Sequence, residues 1–479
     1  MAVFLVPGYA SVILTQNAVT VKTLSVGKQR PSLNGHLTQG ILHHLPSSLI
    51  CAIVITRNHP KKGKPFGRRG RKATGPVRAA GLLKMKSANG QRILYLVLLS
   101  VLLTLVLQTS GSTLPRNLSN NLGASLFPAM AIVGDRIYIA WDDDSSGNSE
   151  ILYIQSIDGG KSFSSPQNLS NNAGKSRNAT MAALGDEVYI FWDDDTPGNA
   201  EIFYRVSRDG GQTFSPLINL SQDPGRSILP KIALSSSQSL YIVWQDDTPG
   251  NREVLYARST DGGRTFTAAQ NLSQNSGRSL SPVIAVTDQN IHVAWEDNTP
   301  GNHEIFYVHS SDDGLNFSSA QNLSRSPSFS AAPNLAASKN SVYVTWTEQL
   351  TEENYEILFE PSSDNGNHFN DAQNISHSPT YSGASVVAAS GDEVSLLWIE
   401  GLSVQRNGKP YVDYDALYAR SSSNDGFSTP QNLSMSEGAT VNPYLVTSED
   451  RIYVAFADET PGNFEVFLSL PAALATNSH

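Results

Sequence analysis

Residues 191–214, FWDDDTPGNAEIFYRVSRDGGQTF, decide the fold. An alternating apolar run ends in Trp192, an acidic turn spans Asp193 to Asn199, a second run covers Glu201 to Val206, and the turn SRDGGQTF closes the stretch. Period-two alternation over runs this short predicts strands. Thr-Pro-Gly predicts a tight turn between them, because Pro presets φ and Gly accepts positive φ. Relatives of this stretch return six more times, so most of the chain is one module copied.

The copies are dated by Asn-Leu-Ser, once Asn-Ile-Ser, at Asn117, Asn168, Asn219, Asn271, Asn322, Asn374 and Asn432, spaced 51, 51, 52, 51, 52 and 58 residues apart. Each unit holds four short strand-like segments, for example PKIALS, LYIVWQD, EVLYARS and TFTAAQNLS in the third, and no helical pattern. Four strands per unit of about 50 residues predict a propeller blade. The aromatic ending the second segment is Trp141, Trp192, Trp244, Trp295, Trp346, Trp398 and then Phe456, which makes seven blades. The last unit ends at EVFLSL without a fourth segment, while TLPRNLS at Thr113–Ser119 is a fourth segment without a blade. Together they predict an all-β, seven-bladed propeller of four-stranded blades, residues 113–470, whose N-terminal strand completes the last blade and so removes an open edge.

The second turn reads SIDGGKSF, SRDGGQTF, STDGGRTF, SSDDGLNF and SSDNGNHF, with Asp158, Asp209, Asp261, Asp312 and Asp364 at its third position, and degrades to SSNDGFST in blade 6. Ser and Asp side chains can bind turn amides there while Phe plugs between strands. These turns resemble the Asp-box (BNR) repeats of sialidases and related propellers, and the resemblance runs from about Arg116 to Leu470. It implies that these five aspartates are structural and lie on the face away from any active site. It also implies what an exo-α-sialidase-type glycoside hydrolase would need: six blades, an arginine triad, a Tyr–Glu nucleophile pair, an acid/base Asp and an early Arg-Ile-Pro. This chain has seven units and no Arg-Ile-Pro.

Two sets of candidate site residues follow. Arg177, Arg226 and Arg278 stand just before first-strand regions, at repeat-related positions on one rim, where guanidinium groups suit a carboxylate clamp. The acidic turns place hard oxygen ligands close together, as calcium prefers, which makes Asp142, Asp144, Asp193, Asp195, Asp246, Asp297 and Asp458 candidate metal ligands. The same carboxylates can instead accept turn amides. Acidic turns and Asn-Leu-Ser loops should share one face, opposite the Ser-x-Asp-x-Gly turns. The repeat breaks in blade 5 (WTEQLTEENYE) and blade 6 (WIEGLSVQRNGKPYVDYDALY), where Arg406, Lys409, Tyr411, Asp413 and Tyr414 suit glycan or peptide contact. Asn-Leu-Ser is also a glycosylation sequon, but seven copies at one blade position point to a structural role.

Charge divides the chain. Of 34 Lys and Arg, sixteen lie in residues 1–116 with no Asp or Glu, leaving eighteen against all 43 acidic residues in the remainder. That acidic balance argues against nucleic acid or an anionic membrane as partner. Cys51 is the only cysteine, so no intramolecular disulfide forms. Residues 1–84 read as a basic, disordered segment, or as an extension upstream of a true start at Met85. MKSANGQR followed by ILYLVLLSVLLTLVL, Ile93 to Leu107, reads as a signal peptide or signal anchor over 85–112, with cleavage near Ser110 favoured. Membrane contact is expected through 93–107 only if uncleaved, and 471–479 is a flexible tail. The expected protein is exported or held at the cell surface, non-catalytic and monomeric, and binds an extracellular glycan or protein, with calcium as the candidate ion at the acidic turns and no other cofactor. The alternatives are a sialidase-like glycoside hydrolase and a structural envelope protein.

Overall fold

The computed structural model describes residues 11–15, 18–22, 114–406, 409–422, 426–448 and 451–470. The chain divides into two units, Met1–Gly111 and Ser112–His479. In the first, the described residues form one antiparallel hairpin, Ser11–Thr15 with Ala18–Lys22. The expected export segment and the tail after 470 lie outside the described residues.

The second unit is a seven-bladed propeller of four-stranded antiparallel sheets, with no helix among its described residues. Blade 2 shows the pattern: an inner strand Ser176–Leu184, a second strand Glu187–Asp194, a third strand Glu201–Ser207 and an outer strand Ile218–Asn219. Inner strands of successive blades pack side by side around a central channel, and that of blade 7 (Thr440–Ser448) returns to that of blade 1 (Ser125–Val133). The ring closes as the sequence predicts. Arg116–Asn117 pairs with Glu465–Ser469 as the outer strand of blade 7 (Asn117 opposite Phe467).

Seven apolar clusters fill the seven spaces between blades, each drawing side chains from two neighbours. The six tryptophans and Phe456 are essentially fully buried in them. A propeller sheet has both faces covered by neighbouring blades, which is why its second strand, such as EVYIFWDD, is buried nearly throughout.

One buried carboxylate per blade holds the four-stranded unit in register. In blade 2, Asp194 Oδ2 accepts from Ser176 Oγ of the inner strand (2.7 Å), from Trp192 Nε1 (3.3 Å) and from Asn172 Nδ2 (2.5 Å), while Oδ1 accepts the Thr196 amide of the turn (2.9 Å). Asp143, Asp246, Asp297, Glu348, Glu400 and Asp458 each accept from the matching inner-strand Ser or Thr. Burial alone would push the Asp194 carboxyl up, yet the hydrogen bonds from Thr196, Ser176 and Asn172 outweigh it and the pKa is lowered.

Asn-Leu-Ser is structural too. Ser221 Oγ accepts the Ile202 amide (2.9 Å) and donates to Glu201, tying the end of each blade to its third strand, and Ser170 does the same for Ile151 and Glu150. The asparagine oxygen caps the next turn, as in Asn168 with the Asn171 amide (2.8 Å). The outer strands are shorter than the sequence implies, two residues each. Chain between the Ser-x-Asp-x-Gly turn and that short ladder arches away, and Pro166 and Pro216 in it lack the N–H a ladder needs.

The Ser-x-Asp-x-Gly turns lie on the opposite face, joined to the turns between inner and second strands (Gly210 amide to Asp186 carbonyl, 2.9 Å). Asp209 accepts from the Thr213 hydroxyl and amide and from Ser207, and these bonds bring its pKa down to about 2. Their phenylalanines staple neighbouring blades: Phe214 meets Tyr153 of blade 1 edge-on at 5.0 Å, and Phe317 meets Tyr256 of blade 3 at 4.9 Å.

Replacing Asp194 with Ala should cost about 3–5 kcal/mol, because it strands a buried indole N–H, a buried hydroxyl and a turn amide without an acceptor. The check is the denaturant midpoint of the variant. Thr213→Ala, at an exposed turn, should cost less than about 1 kcal/mol in the same measurement.

Candidate functional site

The acidic turns join second to third strands, and the loops after Asn-Leu-Ser lead into the next inner strand, so both crowd one face. Asp195 Oδ1 accepts the Lys175 amide (2.6 Å), and Asn199 Nδ2 donates to the Asp223 carbonyl (3.1 Å). A Cβ on Gly174 would sit 2.5 Å from the Thr196 nitrogen, so only glycine allows this approach.

The acidic residues of one turn therefore do different work. The second (Asp143, Asp194, Asp246, Asp297, Asp458) holds the blade together. The third (Asp144, Asp195) accepts the amide of the loop from the preceding outer strand, Ala124 or Lys175. The first, directly after the aromatic, reaches the next blade and meets a bulge. Each inner strand shifts register after its second residue, for instance between Arg177 and Thr180. The residue in the bulge has positive φ in all seven blades: Phe127, Asn178, Leu229, Ser281, Ala332, Ala384 and Asn442. That geometry turns its amide toward the first residue of the preceding turn, as in Asn178 N–H to Asp142 Oδ2 (3.0 Å), Leu229 N–H to Asp193 Oδ1 (3.1 Å) and Ala332 N–H to Glu296 Oε2 (3.4 Å).

This inner ring breaks the repeat. It reads Asp142, Asp193, Gln245, Glu296, Thr347, Ile399 and Ala457, polar through blades 1–5 and apolar in 6 and 7. Asn178 joins its first two members, its amide on Asp142 and its Nδ2 on Asp193 Oδ1 (2.8 Å). Asp142 is 6% exposed and its Oδ1 has no hydrogen-bond partner among the described residues. Burial pushes its carboxyl up to about 8 against the lowering Asn178 and Ala179 amides, and nearby Asp193 adds to the rise. Burial likewise raises Asp193, to about 6, opposed by Asn178, the Leu229 amide, Arg177 and Arg226. Lys231, on the inner strand of blade 3, is solvent-accessible but ringed by protein; that enclosure lowers its pKa while Asp142 opposes the fall.

A cavity of about 260 Å³ opens beside this pair, lined by Lys175, Arg177, Asp193, Asp195 and Arg226 with the 198–200 backbone. The structure thus gathers Arg177 and Arg226 but corrects their relationship. Arg226 and Arg278 share their blade position with Lys175, immediately before the inner-strand Ser, whereas Arg177 follows that serine inside the strand. The lone serine between Lys175 and Arg177 hides this offset in sequence. Arg278, one blade further on, does not line the cavity.

The candidate metal ligands do not converge. Among the described residues no group of three or more His, Cys, Asp or Glu is placed to hold a metal ion. Asp246, Asp297 and Asp458 act as blade pins, and Asp144 and Asp195 as amide acceptors.

The insertion in blade 6 is a ribbon, not a loop. Strands Glu393–Arg406 and Lys409–Ser422 stay paired to their tip, where Arg406 stands opposite Lys409. Tyr411 is exposed near that tip, Asp413 is buried, and Tyr414 meets Tyr381 edge-on at 6.1 Å. Tyr381 in turn lies 5.8 Å from Tyr355 of blade 5. Sequence reading misses Tyr355 because it comes from blade 5, and Tyr381 because it stands just before the inner strand of blade 6, far along the chain from the ribbon it meets. Their partner signal is Gly383, whose missing Cβ leaves room for the Tyr381 hydroxyl. Blade 4 adds one more pair, His303 Nδ1 on buried Glu296, with Phe329 at 4.8 Å from the imidazole.

Comparison with known proteins shows the fold alone. No family model matches the sequence, and no curated protein matches it. Among solved structures, an ulvan lyase of a polysaccharide lyase family superposes with a TM-score of 0.52 at 11% identity, over 74% of this chain and 96% of that one. The same type of enzyme bound to a glucuronate–sulfated rhamnose saccharide gives 0.51 at 12%, over 75% and 95%. A phage phi92 endosialidase gives 0.47 at 11%, over 77% and 70%.

Two outcomes test this geometry. Asp142 has a folded pKa raised above its unfolded value, so its ionisation opposes folding. Its penalty is absent below about pH 4 and complete above about pH 8. Asp142→Asn should therefore match the wild type near pH 4 and exceed it in stability near pH 9, read from denaturant midpoints across pH. A chelator should leave the unfolding temperature unchanged, because the blade-pinning carboxylates already collect protein donors.

Proposed function

We propose that this chain is an exported, Asp-box-type propeller that binds a glycan on the face carrying the acidic turns. The observation that carries the reading is the inner ring. The second acid of the turn is Asp or Glu in every blade because it holds the blade together, while the ring residue after the aromatic changes from Asp to Gln, Glu, Thr, Ile and Ala. A position freed from the scaffold, at the mouth of the channel and beside a polar cavity, is where a ligand is read. The tyrosines of blades 5 and 6 on the same face offer the amphipathic rings that sugars stack on. The fold neighbours include enzymes acting on polysaccharide, which is compatible with this reading. Export rests on the Met85–Ser112 pattern.

A second reading, glycan cleavage, draws on one observation: Asp142 and Asp193, bridged by Asn178, are held at different proton affinities, the pattern of an acid and a base. A glycan array with the purified protein tests binding. We expect retained glycans, with Tyr381→Ala and Tyr414→Ala each weakening capture about tenfold. Capture of proteins but no glycan would overturn the reading. Turnover of fluorogenic sialosides or release of unsaturated uronates, lost in Asp142→Asn, would establish cleavage instead.

A further inference from the structure

We infer that Lys231, on the inner strand of blade 3, is a carbonyl-binding site. Its side-chain amine condenses with an aldehyde, or with the open-chain reducing end of a sugar, to form an imine beside Asp142. This goes beyond the glycan reading and does not depend on it.

The repeat places Ala129, Thr180, Val283, Asn334, Val386 and Tyr444 at the positions matching Lys231, so one cation enters a ring that is otherwise uncharged. Asn334 and Tyr444 are used by the fold: Asn334 Oδ1 accepts the Val387 amide (3.0 Å), and the Tyr444 hydroxyl meets the Met130 backbone. The Lys231 ammonium has no hydrogen bond and no ion pair among the described residues, and its own strand, SILPKIAL, carries no acid. Its side chain is solvent-accessible while protein surrounds it, the situation of a group inside the channel. A lysine kept for solubility reaches bulk water, and one kept for stability is paired. Lys231 does neither.

Asp142 supplies the second group. It is the acid close enough to act on the charge of Lys231. Its Oδ1 is buried without a partner among the described residues, while Oδ2 accepts the Asn178 amide (3.0 Å). Burial raises the acid and lowers the amine, so both are driven toward their uncharged forms. An uncharged amine is the nucleophile that carbonyl addition needs, and a carboxylic acid is the proton donor that loss of water needs. At this end of the elements packed against the inner strand of blade 3, blade 2 brings Arg177 and Asp193, and the inner strand of blade 4 brings no titratable group. Asp193 is joined to Asp142 through Asn178, and burial raises it too.

The steps balance without a co-reactant. The Lys231 lone pair adds to the carbonyl carbon, the π pair moves to oxygen, and that oxygen takes a proton from the amine, giving a carbinolamine. Asp142 then protonates the hydroxyl, the C–O bond breaks with release of water, and the nitrogen lone pair forms the C=N bond. An uncharged pair has become an iminium facing a carboxylate, two opposite charges that attract strongly in an enclosed site. Addition of water reverses the reaction.

The test is reductive trapping on the full chain at about pH 7, with glycolaldehyde in one arm and lactose in the other. Each arm contains cyanoborohydride, and peptide mapping by mass spectrometry locates the adduct. We expect the Lys231 peptide to gain the reduced adduct about tenfold faster than peptides carrying exposed Lys161 or Lys175. Trapping of glycolaldehyde alone assigns a small carbonyl compound; trapping of lactose as well assigns a reducing end. Trace acetylation with acetic anhydride across pH reads the amine itself. The Lys161 rate should climb about tenfold per pH unit to about pH 10, and the Lys231 rate should level off at lower pH. Asp142→Asn should slow trapping about tenfold without slowing acetylation, a split that a merely structural role would not produce. Lys231→Met should remove the adduct and leave labelling of Lys161 as it was. Trapping at Lys231 no faster than at Lys161 in either arm, or acetylation that follows Lys161 across pH, overturns the inference. An empty glycan array leaves it standing.

Discussion

A buried carboxylate that gathers the indole N–H, an inner-strand hydroxyl and a turn amide is the constraint on which the propeller depends. It is expensive to bury a charge, and the cost is recovered only when every acceptor position is used. In blades 1 to 4 the acid collects all three donors, and Glu348 and Glu400 of blades 5 and 6 keep the indole and the inner-strand hydroxyl. Blade 7 shows what is essential. Phe456 has no N–H to give, yet Asp458 keeps Thr440 Oγ1 and the Thr460 amide. The inner strand and the turn need the acid more than the tryptophan does.

This pinning separates scaffold from site within a few residues. Once the second acid holds the blade and the third holds the incoming loop, the first is left facing the neighbouring blade and the channel. Its one repeated partner is the amide of a left-handed bulge. Because that amide can donate to Asp, to Glu or to neither, the position can change without loss of the fold. Asp193 and Asp194 are adjacent and chemically identical, yet the cavity reaches the first and the core encloses the second.

Blade number, ring closure, the opposed faces and the structural roles of Asn-Leu-Ser and Ser-x-Asp-x-Gly were legible in the sequence, because each is written seven or nearly seven times. Repetition also concealed things. The bulge is invisible because Phe127, Leu229 and Ala332 are not residues that favour positive φ; ring geometry imposes it, and no local preference announces it. Without the bulge, Asp142 cannot be linked to Asn178, nor Arg177 distinguished from the position of Arg226. Lys231 stands where other blades carry Ala129, Thr180, Val283, Asn334, Val386 and Tyr444, a departure that gains meaning only when inner strands are seen to line a channel. Tyr355 and Tyr381 meet across blades, a contact that spacing along one unit cannot express.

The inner ring also gives the mouth a direction. Its acids and Gln245 fall in blades 1–4, beside Arg177, Arg226 and Lys231. Thr347, Ile399 and Ala457 fall in blades 5–7, and the tyrosines and the ribbon of blade 6 rise on that side. A ligand with a charged group at one end and a broad apolar face at the other would therefore meet matching chemistry in only one orientation. Sevenfold symmetry offers no such preference; it arises because the scaffold is satisfied by the second acid and leaves the first to differ from blade to blade. The differences between blades at the mouth are thus confined to positions whose change the fold tolerates.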